Sequence, residues 1–580
     1  MLICMFVQAQ NQQLITYHGQ FRTIMNDSRL KGNILDGDTV SPKRGAVGTA
    51  YFDFGINVAP NEDFKILAEF RMRNIIGQDE GYETRNINGT GTTRNSLIDT
   101  RMIFRQVRAE GRIKDIVDYQ IGDIDMGMTK YTLFNNDETY HKYESDIFKQ
   151  RRVVSQYENF QFDNKWRVQG LNAKATINAR KIIRSADLSL LAARTRMNNL
   201  EGALDRLLVG FKVDITQSKY LKIGGNVLSF YDLPGTSLDT LSIYKNNVFT
   251  TNYEVTPYNS DKIKFQIEGE NGVSSNSYYV KLVDVTAEKN DYFIDFGTKA
   301  WYKPMKTSLK VSYVNVGHNF TSPGAQTLKL RPTESPLFFN SVNNLTTERT
   351  QTLYDRFGDE TVYNQRINPG LMVFLPVYGN VLPYGSATPN RNGIILNLDR
   401  TVDTSHVVSF SADMALLTEN VSEGDSTGLE LRKFSQLQGG VFVNVAKLIG
   451  FKKALEISFG ARLENTTRGG AAAVDFSSTL IDAGVSVEVL DGVYLQGGIK
   501  QLTGKGNEVL TLRNTYGSIS GYTPYLYDLN QSIVSAGVKL DLFTNSFASF
   551  EYNTIKITNN LDDTQSYTIG NLFVNFTLRF

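Results

Sequence analysis

The residues with chemistry to offer in this chain are charged ones spaced along alternating segments: Arg22, Asp53, Glu69, Arg71, Arg73, Arg101, Arg105 and Asp118. Opposed rows of guanidinium and carboxylate across a passage would set up a transverse field that orients polar solutes. The simpler alternative is that they pair with one another and keep a passage wet. Bond-making chemistry has little to work with. His18, His141, His318 and His406 are scattered with no ligand-like spacing, so no zinc site is expected, and no G-x-S-x-G motif accompanies any of them. The single cysteine is Cys4, which removes disulfides and a thiol nucleophile from the body of the chain. Phosphate-binding glycine loops, EF-hand loops and dinucleotide fingerprints are absent from the sequence, so the reading is of a non-enzyme with no cofactor. A net charge of +1 gives no general attraction to nucleic acid.

The elements that hold these charges are strands with a two-residue period. Ala50, Phe52, Phe54, Ile56 and Val58 alternate with Tyr51, Asp53, Gly55 and Asn57; Phe64, Ile66, Ala68, Phe70 and Met72 face away from Lys65, Glu69, Arg71 and Arg73. The pattern is cleanest late in the chain, from Leu455 to Leu463 and from Ile481 to Val489. It also governs the last strand, where Leu572, Val574, Phe576, Leu578 and Phe580 share one face and Asn571, Asn575, Thr577 and Arg579 the other. Only Phe573 breaks it. Arg101 and Arg105 share a face that Arg108 does not, which predicts a bulge or slip near Gln106.

A strand that is apolar on one side and polar on the other crosses a bilayer only as a stave of a closed barrel, because hydrocarbon satisfies no backbone N–H or C=O group. The terminal strand, closing on Phe580, resembles that of the bacterial outer-membrane β-barrel proteins of Gram-negative organisms. The resemblance implies residence in the outer membrane and a final strand that serves as the signal for the barrel-assembly machinery. On that reading the charged faces point into the lumen, since a charge on the lipid side costs about 2–4 kcal/mol at mid-depth. A secreted β-sandwich array or solenoid is the soluble alternative, but no fixed repeat supports it.

Composition agrees with an all-β protein. The 580 residues include 47 glycines, 34 phenylalanines and 29 tyrosines but two tryptophans. Mean hydropathy is -0.27, and no apolar run reaches membrane-helix length, a test from which barrels hide because every second residue faces a wet lumen. Residues 1–9, with an apolar run from Leu2 to Val7 before Gln8-Ala9-Gln10, resemble the end of a secretory signal without its basic front part.

Residues 10–580 are then expected to form a single transmembrane antiparallel up-and-down β-barrel of about twenty strands (range 16–20). Short periplasmic turns are expected near residues 60, 113, 180, 218, 304, 403, 451, 491 and 545, with longer extracellular loops at the other end. Two segments interrupt the rhythm: an elaborated loop or small subdomain at 232–289, and a proline-rich loop at 319–391 with apolar patches at Leu337-Phe338-Phe339 and Leu371 to Pro376 that must pack against something. Asp137 to Gln156 mixes acidic and basic residues and either folds inward as a constriction or forms a solvated outer loop. Strands begin almost at once, which argues against a TonB-dependent receptor, a family that carries a plug domain before its barrel. The expected function is a porin-like channel for passive passage of small polar solutes; the alternative is a barrel subunit or scaffold of a larger secretion or assembly complex, with its pore closed by loops.

Overall fold

The computed structural model describes residues 14–32, 44–76, 100–124, 126–134, 143–150, 168–179, 183–196, 204–236, 242–280, 284–327, 367, 369–400, 407–425, 427–470, 472–514, 518–563 and 566–580. Residues 1–9 and the Leu337-Phe338-Phe339 patch lie outside them. The described residues form β1 (Ile15–Gly32), β2 (Arg44–Asn61), β3 (Phe64–Ile76), β4 (Thr100–Ile113), β5 (Val117–Ile124), β6 (Val168–Ile177), β7 (Ser185–Arg196) and β8 (Arg206–Thr216). Next come β9 (Leu221–Asp232), β10 (Ser242–Asn259), β11 (Ile263–Val280), β12 (Val285–Tyr302), β13 (Thr307–Val316), β14 (Arg391–Arg400) and β15 (Val408–Thr418). The last third contributes β16 (Lys433–Asn444), β17 (Leu455–Arg468), β18 (Val474–Leu490), β19 (Val493–Arg513), β20 (Ile519–Phe543), β21 (Ser546–Asn559) and β22 (Tyr567–Arg579).

These strands make one 22-stranded antiparallel sheet in which each pairs with its neighbours in sequence. The sheet closes on itself: β1 pairs with β22, Phe21 opposite Leu578, and Gly19 exchanges both backbone hydrogen bonds with Phe580. Closure leaves no free edge, which is how a sheet of this size satisfies all of its backbone polar groups.

Strand number exceeds the expected twenty because 232–289 is not a loop. Residues 242–259 and 263–280 run as two long wall strands joined by a tight turn at 260–262, and 285–289 already belongs to β12. Seven of the nine expected short turns fall at connections between consecutive strands, those near 180 and 403 lie outside the described residues, and a further turn at 260–262 lies at the same end. We call that end, where β1 starts and β22 finishes, the turn end, and the opposite one the loop end. The slip expected near Gln106 is a bulge: Glu69 faces Gln106 and Phe70 faces Phe104, leaving Arg105 as the extra residue.

Side-chain parity separates the two faces of the wall. On β22, Asn571, Asn575 and Thr577 are fully buried inside, while Leu572 and Phe580 are exposed outside. Phe573 has the parity of the inner face and is buried there. The same outward set recurs round the ring in Phe52, Ile223, Phe249, Leu309, Leu416, Leu437, Val534 and Phe550, each more than a third exposed. The molecule therefore wears a belt of exposed apolar side chains, far more than a soluble protein leaves in water. No helix among the described residues is long and apolar enough to cross a membrane, which says nothing about crossing by strands.

Candidate functional site

The interior is not an empty pipe. Segments from three loop-end connections fold back into it: 126–134 and 143–150 from the β5–β6 connection, 317–327 and 369–390 from the β13–β14 connection, and 419–425 from the β15–β16 connection.

Along β6 to β13 the upper inner face is apolar, with Leu191, Leu208, Leu228, Phe230, Val248 and Phe293 packing round Tyr131, Leu133, Phe320 and Ala325 of the inserts. Tyr131 stacks on Phe293 at 3.8 Å between centroids and donates its hydroxyl to Asp295 Oδ2 at 3.0 Å. Burial, reinforced by the Asp295 charge, pushes the Tyr131 hydroxyl well above its usual range, so it remains a donor. Lys130 pairs with Asp295, and Thr129 donates to Glu270 at 2.7 Å. Ser322 Oγ donates to the Tyr131 carbonyl at 2.8 Å, and Gln326 Nε2 to that of Ala387 at 2.8 Å, tying the inserts to one another.

The opposite wall is belted by residues 143–150. Tyr143 donates to the Arg400 carbonyl at 3.3 Å, and Gln150 donates to Ser549 Oγ at 3.3 Å, so the segment runs round the lumen from β14 to β21. Midway, Lys500 bonds Glu144 at 2.5 Å and Asp482 at 3.1 Å, while the Ser145 amide donates to Asp482 Oδ1. All three charged groups are almost fully buried. The wall is shaped to receive the belt: a Cβ at Gly484 would overlap Ser145, and one at Gly498 would lie 2.9 Å from Ile147. The Asp137–Gln156 stretch, where described, thus lies inside rather than in solvent.

The described end of the proline-rich segment is also inside. Val377 and Tyr378 pack on Phe476, Leu502 and Ile533, and Arg462 Nη1 donates to the Tyr378 carbonyl at 2.6 Å. Asn380 donates from its backbone to Glu464 at 2.9 Å and from its side chain to Glu508 at 2.6 Å. Beyond it, Arg432 is clamped by Glu419, Glu423 and Glu508, at 2.9 to 3.0 Å, and Arg468 pairs with Glu423. Arg432 and its three carboxylates border a cavity of about 110 Å³ towards the loop end, whose other side is Leu371, Met372, Phe374 and Tyr384.

The residues singled out from the sequence do not form one continuous row. Asp53 and Arg71 face each other across β2 and β3 in a buried two-point pair, Nε to Oδ1 at 2.6 Å and Nη2 to Oδ2 at 2.8 Å. Arg22 is buried at the β1–β22 seam, donating to Thr577 Oγ1 at 2.9 Å and to Gln20 Oε1 at 3.3 Å. Glu69 is half-buried on the same inner parity as Arg71. Asp118 stands exposed at the turn end in a pair with Arg112 at 2.7 Å. Register sets Arg101 opposite Arg73, but the side chains of Arg73, Arg101 and Arg105 lie outside the described residues. Glu144, Asp482 and Lys500 were not singled out as a group. The inward parity of Asp482 and Lys500 on clean strands was readable, whereas their meeting with Glu144 depends on a loop's path.

Among the described residues no group of three or more His, Cys, Asp or Glu side chains is placed to hold a metal ion. No protein-family model and no curated protein matches the sequence. Solved structures match over nearly its whole length. They include a BenF-like porin from Pseudomonas fluorescens Pf-5 (9% identity, 98% of this chain and 99% of that chain, TM-score 0.34). Also similar are OccK9 (OpdG) from Pseudomonas aeruginosa (8%, 98% and 98%, TM-score 0.34) and the FrpB iron transporter from Neisseria meningitidis (9%, 96% and 81%, TM-score 0.43).

Proposed function

We propose that this chain is a transmembrane β-barrel of the bacterial outer membrane, a porin-like channel for passive passage of small polar solutes, narrowed by its own inserted segments. The observation that carries the reading is the closed wall itself, apolar outside and, in its turn-end half, polar inside. A ring of 22 strands is too wide for wall side chains to fill, so its interior is a channel or is occupied by chain. The inner face of its turn-end half is studded with charges, among them Lys212, Asp214, Glu254, Lys264, Glu268, Lys299 and Lys310, which a sealed core would not need. Its partners on this reading are outer-membrane lipid, the barrel-assembly machinery during biogenesis and the solutes themselves; no catalytic role and no cofactor are proposed. Purified protein in a planar bilayer should conduct steadily.

A second reading, a barrel scaffold in a larger envelope complex with its pore closed by loops, is favoured by the buried Glu144–Lys500–Asp482 anchor. In that case the intact protein should be silent, deletion of 143–150 together with 369–390 should release large currents, and proteins that co-purify with it should be lost.

A further inference from the structure

On the inner face of β11, β12 and β13, close to the turn end, cations outnumber their counter-charges. Strand parity directs Lys264, Lys299, Trp301 and Lys310 inward, on the side of the buried Gln266, Asp295 and Ser312 and away from the exposed Ile263, Phe296 and Leu309. Trp301 stands opposite Lys264, and Lys299 stands between Gln266 and Lys310. The one carboxylate in the group, Glu268, is taken by Lys310.

The remaining ammonium groups are held by neutral partners. Lys264 Nζ donates to the Gln266 amide oxygen at 3.0 Å and lies 4.5 Å from the Trp301 ring centre; Lys299 Nζ lies 4.6 Å from the same ring. In the adjoining turn, Lys303 Nζ donates to Asn259 Oδ1 at 2.7 Å and to the Ser260 carbonyl. An indole face attracts a cation through its quadrupole but carries no net charge. It therefore fixes the position of two lysines without cancelling their field. The Asp53–Arg71 pair on β2 and β3 does the opposite, matching each charge with its counter-charge.

We propose that Lys264 and Lys299, organised around Trp301, form with Lys303 of the adjoining turn an anion-binding station at the turn-end mouth of the lumen, so that the solutes the barrel favours are small anions. The inference rests on the lumen-facing reading of this wall and deepens the channel proposal by naming a charge class.

Trp301 reports on its own surroundings. With Trp166, the other tryptophan, replaced by Phe, and with each ion's quenching normalised to its quenching of free N-acetyltryptophanamide, its fluorescence in the folded detergent-solubilised barrel should be quenched about threefold more strongly by iodide than by caesium, because a local positive potential concentrates anions. Lys264→Gln with Lys299→Gln should bring the two quenchers to parity, in protein whose heat-modifiable migration shows the barrel intact. Equal quenching in the parent protein, a ratio unmoved by the double substitution, or a Trp301 that neither ion reaches would each overturn the station. Bilayer recording separates this from the channel reading: iodide preference in a silent barrel keeps the station and sinks the channel, whereas conduction without anion preference keeps the channel and sinks the station.

Discussion

Glu144 and Lys500 meet at 2.5 Å inside the barrel, the first on a segment that leaves the wall between β5 and β6, the second on β19 of the far wall. With Asp482 they make a buried triad of two carboxylates and one ammonium. Such a group tolerates poorly the loss of its cation, because an uncompensated buried charge costs far more than the intact arrangement contributes.

Lys500→Met should therefore release the belt. Removing the ammonium from the buried group would cost about 3–5 kcal/mol, which leaving the wall for water relieves. A cysteine placed at Ser145 should become reactive to a water-soluble thiol reagent in the Lys500→Met background and be protected in the parent. Equal protection in both would show that packing by Ile147 and Phe148 alone holds the belt.

Gly484→Val should have the same effect without touching a charge. The new side chain would occupy the place of Ser145, and Gly484 is not among the positive-φ glycines, so the wall strand can accept the substitution. Single-channel conductance should rise in this variant. A parent-like conductance would mean that 143–150 does not limit the passage.

The Asp53–Arg71 pair predicts an asymmetry between single and double substitutions. Asp53→Ala should destabilise the barrel by about 3–5 kcal/mol, while Asp53→Leu with Arg71→Met should come close to the parent, because the cost lies in the stranded charge. Thermal midpoints followed by heat-modifiable migration measure both. Since the pair is neutral, its double replacement should leave ion selectivity almost unchanged.

Depth governs the fourth expectation. Val574→Arg, on the outer face of β22, should impair insertion into lipid vesicles by about 2–4 kcal/mol if it lies near mid-bilayer, whereas Phe580→Arg at the strand's end should cost about 0–1 kcal/mol. The folded fraction after refolding into vesicles reads out the difference. Equal penalties at the two positions would contradict a bilayer-spanning β22.

Most of the wall was legible because a two-residue period is a direct record of two different surroundings, one on each face. Ile457 and Phe459 on one face and Ser458 and Arg462 on the other leave little choice of structure. β10 and β11 read as loop for the same reason in reverse. At their level the lumen is filled by Tyr131, Phe320 and Ala325, so the inward set of β10 includes Tyr244 and Val248, while Lys245 and Asn247 point outward, and the contrast disappears. Pro257 adds an irregularity, with the register slipping between Val255 and Tyr258. The inward parity of Asp53 and Arg71 was likewise legible. The inserts were not, because nothing local in Glu144 or Asn380 records the distant wall residue each will bond.

Closure through β1 and β22 also bears on how the protein reaches its native state. Among the described strands every ladder joins sequence neighbours and can form hairpin by hairpin, except this seam, which brings Arg22 to Thr577. Local contacts form quickly and distant ones late, because a long loop must be ordered before the distant contact rewards it. A nascent wall would therefore persist as an open ribbon with two unpaired margins, each a template for pairing with another chain. The slow step is then the joining of those margins, and agents that shield strand margins should alter yield without altering the stability of the finished protein.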